Sequence, residues 1–265
     1  MSIGKVKKIL LFLLKRRILF LLGFILLWET AYLLNLFPPL LFPSTREIFS
    51  ALIKGIMHEA LLHKAARSVS LIFQGLSIGI CVSLVLLGLS LTNKLYKNII
   101  ENLTTYLNPI PGMAIFPLVI LWFGLGRSAI IVVIIHSVLW GLLVNLIAGV
   151  SSIPSNQKEI GQNLELSKLR MLTDIYIPAC MPFIVAGTKA ALARAWRSAI
   201  SVEIIAGVVA GNQGLGWLMT VQRSMINIPG LYSTIIIIMV VGIFFEDVVF
   251  RIIENVTVKE WGMAK

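Results

Sequence analysis

Four ionisable residues, Lys189, Arg194, Arg197 and Glu203, interrupt an apolar stretch running from Met181 to about Ala210. A charge at mid-bilayer costs about 2.5–3.5 kcal/mol on insertion scales, so intramembrane charges are usually paired or face a cavity. Arg194 and Glu203 are nine residues apart, roughly 180° around a helix at about 100° per residue. They cannot easily pair within one straight helix. Each must meet another helix, or an arginine must snorkel to the membrane surface. Trp196 and Glu203, seven apart, share a face. Two readings of Glu203 stay open: it stabilises an interface or gate, or it contacts a solute. Structure or gating is favoured of the two. His136, Asn108 and Gln74 are further polar residues in apolar surroundings, with no partner that the sequence names. The candidates for a polar pathway or gate are therefore Asn108, His136, Arg194, Trp196, Arg197 and Glu203.

Reaction chemistry has little support. The segment Gly211 to Gly216 is glycine-rich but lacks the lysine of a GxxxxGK[ST] phosphate loop. His58, His63 and His136 are scattered, with no Ser/His/Asp or Cys/His arrangement close in sequence. Cys81 and Cys180 lie in or beside apolar stretches, without CxxC spacing, and are expected to be buried packing residues. No enzyme, metal or bound cofactor is expected of this chain.

The surrounding elements are membrane spans. Of 265 residues, 58% are hydrophobic and only 13% charged. Soluble domains carry about 25% charged residues, so a membrane-embedded body is expected. The net charge of +11 does not come with a basic helix interleaved with aromatics, nor with zinc spacing. Nucleic acid is not an expected partner; a lipid membrane is.

A helix needs about 20 mostly apolar residues to cross a bilayer. The sequence holds six candidates: Ile18 to Phe37 with Glu29 inside it, Ser68 to Leu91, a segment opened by Asn108-Pro109-Ile110-Pro111-Gly112 and ending near Phe123, Ala129 to about Val150, Met181 to about Ala210, and Leu231 to about Ile253. Lys94 and Lys97 are placed in a loop. Pro109 and Pro111 disfavour regular helix, and irregular backbone at membrane depth is tolerated inside protein or beside a water-filled cavity. That segment is either the wall of a pathway or a plain helix start at the membrane surface. Ser44 and Glu47 have capping-box spacing, and an amphipathic helix over about 44–57 is expected at the extracytoplasmic interface or packed on protein. Gly75, Gly79 and Ser83, and likewise Gly187, Ala191, Ala195 and Ala199, recur every four residues and mark close helix contacts. Asp247 and Arg251 have the spacing of a surface ion pair.

Residues 1–17 hold six Lys/Arg and no acid. The positive-inside rule places both termini in the cytoplasm, with the polar stretch 151–174. Residues 18–265 are expected to form a single membrane domain.

That polar stretch ends in Ile177-Pro178-Ala179-Cys180-Met181-Pro182. It resembles the cytoplasmic loop of ABC importer permeases: Glu-Ala-Ala, a Gly four residues after the second Ala, and Leu-Pro about a dozen further on. Counted back from Pro178, the Glu falls on Glu159, the two Ala positions on Ile160 and Gly161, and the Gly on Glu165. The Glu and Pro match; the Ala-Ala and Gly do not. Phe42-Pro43-Ser44, Asn108-Pro109-Ile110-Pro111, Ile120 to Gly126, Ala191 to Trp196, Gly214-Leu215-Gly216 and the tail Asp247, Arg251, Glu254 resemble, in order, the nitrate/sulfonate/taurine-type permeases.

The resemblance implies an all-α polytopic chain of about six transmembrane helices, like type I ABC importer permeases. It implies a cytoplasmic ATPase dimer that holds ATP and Mg, a second permease copy forming a homodimer, and an extracytoplasmic solute-binding protein. The loop would form a coupling helix from about Ser155 to Leu169, with Glu159, Gly161, Glu165, Ser167 and Pro178 at the ATPase contact. There Glu165 adds a bulky charge where the family is compact. The solute is small and, by family, often anionic, and the membrane implied is a bacterial-type inner membrane. A self-sufficient secondary transporter and a non-conducting membrane scaffold are the rival readings.

Overall fold

The computed structural model describes the backbone of residues 3–167, 170–206 and 214–249, and side chains within 16, 19–167, 170–206 and 214–246. Within these residues the chain is helical, without strands. Four helices are long and apolar enough to cross a membrane: Leu61–Ser90, Arg127–Ser151, Met171–Ala206 and Ile228–Glu246. A fifth span exists if the pair Lys94–Leu107 and Gly112–Phe123, bent by 105°, counts as one, and Leu19–Leu33 is a shorter apolar helix. Of the six expected spans, four are met by long helices and a fifth only if the broken pair counts as one, while Ile18 to Phe37 contains only the shorter apolar helix.

Two compact units are distinct: residues 1–61 with 221–236, and residues 62–220 with 237 onward. In the first, α1 (Ile3–Leu33) precedes α2 (Thr45–His58). Asn35, at φ +50°, closes α1, with the Leu36 N–H donating to Ala31 and the Asn35 N–H to Tyr32. The expected capping box is present. Ser44 Oγ accepts from the Glu47 N–H at 3.2 Å, and the Ser44 N–H donates to Glu47 Oε2 at 2.8 Å. Glu29 has a similar task, accepting from the Thr45 N–H at 3.0 Å and hydroxyl at 2.7 Å. A carboxylate at a helix start satisfies free donors and suits the helix dipole. Trp28 stacks on Phe42 at 4.0 Å and donates its indole N–H to the Pro43 carbonyl. Phe49, Ile53 and Met57 of α2 remain exposed.

In the second unit α6 (Arg127–Ser151) is the central helix, burying Ile130, Val133, Ile134, Val138, Leu142 and Leu146. A helix apolar all round belongs inside. The small-residue stripes do what their spacing predicts. On α3 (Leu61–Ser90), a Cβ at Gly75 would lie 2.7 Å from Ile134 Cβ, and one at Gly79 2.8 Å from Val138 Cγ1. Ser83 Oγ reaches the Leu139 carbonyl at 3.2 Å. On the helix Ile177–Ala206, labelled α8, Gly187, Ala191, Ala195 and Ala199 are buried, and a Cβ at Gly187 would lie 2.8 Å from Asn145 Cβ of α6.

Several boundaries differ from expectation. Lys94 and Lys97 do not lie in a loop; they open α4 (Lys94–Leu107), capped by Asn93, whose side chain accepts from the Tyr96 N–H at 2.9 Å. The proline segment 108–111 joins α4 to α5 (Gly112–Phe123) and carries their bend, because Pro109 and Pro111 lack the N–H donors of a continuous helix. Gly124 ends α5 at φ +72°. Helix α3 starts before Ser68, at Leu61. Cys81 is exposed on α3 rather than buried; Cys180 is buried. The last two helices are α9 (Leu215–Ser224) and α10 (Ile228–Ile243), the latter followed by a π-helical turn, Phe244–Val249. The 247–251 pairing and Glu254 lie outside the described side chains, as does the basic cluster of residues 1–15.

Candidate functional site

Helix α8 carries the ionisable residues, and its neighbours separate them. Arg194 turns to α6 and donates its Nε–H to the Ser137 carbonyl at 3.1 Å. Its guanidinium lies against Gly141, where a Cβ would overlap it. Glu203, fully buried, turns the other way. Its carboxylate accepts from Ser68 Oγ of α3 at 2.7 Å and from the Gly216 N–H at 3.0 Å. Ser68 Oγ in turn accepts from the Leu215 N–H at 2.8 Å. Thus Glu203 and Ser68 together receive the free donors at the start of α9. Gly214 and Gly216 leave no space for a Cβ against Glu203, which gives the Gly214-Leu215-Gly216 sequence a packing reason.

Arg194 faces a cavity of about 290 Å³. Asn108, His136 and Arg197 also line it, so four of the six pathway candidates meet here. Pro109, Pro111 and Gly112 supply another side. Gly112 is needed because Ser137 and Ser198 close on it: a Cβ would overlap Ser137 Oγ and lie 2.7 Å from Ser198 Oγ. Those hydroxyls bond each other at 2.9 Å. His136 stands 9 residues from Arg127 (136 minus 127) in a helix of 25, about 13 Å along the axis at 1.5 Å per residue, roughly a third of the way along it.

The other two candidates lie elsewhere. Trp196 packs against Phe245, with ring centroids 6.3 Å apart, in a smaller cavity shared with Lys189, Gly242 and Glu246. Glu203 belongs to the cluster with Ser68 and does not line the larger cavity. Gln74, unassigned from sequence, accepts from Arg127 Nη2 at 2.8 Å. Sequence reasoning missed Trp140, Ser137, Ser198 and Ser201 as cavity residues. Helical spacing was the available signal: Trp140 is four residues after His136, and Ser198 and Ser201 are four and seven after Arg194.

The second candidate site is the loop between α6 and α8. Its helix, α7 (Ser155–Asn163), is shorter than the expected Ser155 to Leu169. The Glu165 N–H donates to the Gln162 carbonyl at 2.9 Å, and the Leu166 N–H to that of Gly161 at 3.1 Å. This pair of bonds is a Schellman ending, and Glu165 occupies its left-handed position at φ +49°. The motif's glycine therefore meets a backbone requirement. Glu165 is exposed, so its departure from the motif is a matter of backbone conformation rather than crowding. Gly161 is buried, and a Cβ there would overlap Met171 Sδ; the motif's second small residue is a packing requirement. Ser167 Oγ accepts from the Arg170 N–H at 3.3 Å. Immediately beyond Arg170, a π-helical turn, Met171–Tyr176, runs into α8 just before the half-buried Pro178. Glu159 is exposed, while Ile160 of α7 and Leu164, the residue that caps its end, present 55% and 67% of their surface four residues apart. Leu169 lies outside the described residues.

Comparison with known proteins agrees with this architecture. Residues 75–257 match the family of binding-protein-dependent transport system inner membrane components. The chain is 25% identical over 228 residues to the taurine transport system permease protein of Escherichia coli, covering 83% of this chain and 80% of that one. It is 27% identical over 236 residues to the bicarbonate transport system permease protein of Synechococcus elongatus, covering 85% and 83%. A putative ABC transporter permease of Methanocaldococcus jannaschii is 26% identical over 228 residues, covering 84% and 83%. The membrane-length helices, the short polar helix between α6 and α8, and a match spanning more than half of the sequence show that this chain belongs to the family of binding-protein-dependent transport system inner membrane components.

Proposed function

We propose that the chain is the membrane-spanning subunit of an ATP-driven importer, forming the path for a small anionic solute while a separate ATPase dimer supplies the power. The observation that carries this reading is α7. A polar helix with exposed Ile160 and Leu164 sits between two membrane-length helices, its far end fixed by a Schellman turn. A partner that pushes on this face moves α6 and α8 together. Since the sequence has no phosphate loop, ATP and Mg belong to that partner.

The anionic solute is supported by the larger cavity, which includes Arg194 and Arg197 but no Asp or Glu. Of the relatives, one is named for bicarbonate, a small oxyanion, and one for taurine, a zwitterion that carries a sulfonate. A second copy of the chain completes the path, and an extracytoplasmic binding protein delivers the solute. Both termini and α7 lie on the cytoplasmic side.

Co-purification with a cytoplasmic ATPase and ATP-dependent uptake in reconstituted vesicles test the reading. Ile160→Asp is expected to weaken ATPase association at least tenfold while the chain keeps its helical content and membrane insertion. Uptake by the chain alone, driven by an ion gradient, would replace this reading with a secondary transporter. Assembly without any uptake would favour a scaffold.

A further inference from the structure

Helix α2 begins near the ends of two apolar helices. Glu29, which receives the Thr45 N–H and hydroxyl, lies four residues before the last residue of α1, about 6 Å along the axis at 1.5 Å per residue. Tyr232, four residues into α10, meets Trp28 edge-on with ring centroids 5.1 Å apart, and Trp28 stacks on Phe42. Tryptophan and tyrosine concentrate where a membrane meets water. The 14 residues of α2 make about 21 Å, too short to cross a bilayer.

Two rows of side chains follow α2 at the four-residue spacing that stacks neighbours on a helix. Arg46, Ser50, Lys54 and His58 form one row and Phe49, Ile53 and Met57 the next, and all seven are exposed. Ile48 and Gly55, on the opposite side, are buried. A groove of about 430 Å³ follows the two rows, lined by Arg46, Phe49, Ser50, Ile53, Lys54 and His58 and by no acidic residue. Glu47 is folded back onto Ser44. Glu59 approaches Lys54 only to 3.8 Å, at the surface, and such pairs hold their partners weakly.

An apolar row left in water is costly, and a basic row is costly in the bilayer core. The boundary between headgroups and acyl chains suits both. We propose that the groove of α2 seats an anionic phospholipid, its phosphodiester on Arg46 and Lys54 and an acyl chain along Phe49 and Ile53. Basic side chains at a membrane surface attract such headgroups. A soluble partner that came and went would leave Phe49, Ile53 and Met57 facing water at each departure. A lipid held here ties the start of α2, and through Glu29 the end of α1, to one leaflet. The site needs the membrane and not the importer reading.

The test places the photoreactive amino acid benzoylphenylalanine at position 49 of the full chain. Irradiation in native membranes should give a phospholipid adduct, read by mass. In nanodiscs of mixed phosphatidylcholine and phosphatidylglycerol, the adducts should be enriched several-fold in phosphatidylglycerol over its share of the bilayer. Arg46→Gln combined with Lys54→Gln should return them to the bilayer ratio, and Arg127→Gln on α6 should change nothing. If the double variant fails to insert, the original chain at high ionic strength decides, because screening should erase the same enrichment. A cross-link to a second copy or to another polypeptide overturns the proposal. So does the absence of a lipid adduct, or lipid adducts in the bilayer ratio. Normal ATP-dependent uptake without the enrichment would sink the lipid site and keep the importer reading; enrichment in a chain that takes up nothing would do the reverse.

Discussion

Glu165 and Glu203 are both acidic residues beside a helix end, with opposite physical standing. Glu165 takes the left-handed position after α7 at φ +49°, a conformation costing about 1–2 kcal/mol for a residue with a Cβ. Glu165→Gly should therefore stabilise the turn by about 1 kcal/mol, seen as slower hydrogen exchange at the Glu165 and Leu166 amides. Unchanged or faster exchange would mean that the side chain contributes more than its strained backbone costs. Glu203 does the opposite work by closing hydrogen bonds. Glu203→Ala would leave the Ser68 hydroxyl and the Gly216 N–H short of an acceptor, at about 3 kcal/mol. Thermal unfolding of the purified chain checks this, with Glu203→Gln expected to lose less because it keeps the shape. If Glu203→Gln assembles normally but transport is lost, gating is the better description; if assembly is lost, the role is structural.

The helix contacts give the clearest contrast at the scale of elements. Gly79→Ala would drive a methyl group toward Val138, 2.8 Å from Cγ1, and should cost about 1–3 kcal/mol by overpacking. Gly88→Ala, on the same helix with nothing within 4 Å, should be neutral or stabilising by up to about 1 kcal/mol. Equal melting temperatures for the two variants would show that the α3–α6 contact is looser than described. These stripes were legible from sequence because spacing of four fixes which residues share a face. The Ser44–Glu47 capping box was legible for a similar reason, since both partners lie within one turn. The 105° bend between α4 and α5 was not: two prolines locate a break, but the angle depends on what each half packs against. Nor could spacing reveal that Glu203 reaches the start of a helix thirteen residues on. That contact depends on how α9 packs against α3 and α8.

At the scale of the whole molecule, composition and span pattern established a polytopic helical membrane protein before any contact was known. Motif order supplied the family, and residues 75–257 match it. The Glu-Ala-Ala loop shows why an ordered set outweighs one degraded motif. Gly161 meets the demand for a small buried residue, while Glu165 occupies the left-handed turn at a conformational cost. The cavity was only partly legible. Asn108, His136, Arg194 and Arg197 were marked as polar residues in apolar segments, yet their meeting in one place required the packing of α5, α6 and α8. Trp196, chosen on the same grounds, sits against Phe245 instead.

The opposed anchoring of α8 restricts how that unit can move. Arg194 is tied to a carbonyl of α6, while Glu203, half a revolution around the same helix, is tied to α3 and the start of α9. Turning α8 about its own axis would strip both polar attachments at once, in a medium that offers no substitute partners. Under the proposed coupling, a stroke at α7 would therefore translate or tilt α3, α6 and α8 as a single block. A covalent cross-link between α6 and α8 should leave turnover intact, and a transporter stalled by that cross-link would show that α8 swivels after all.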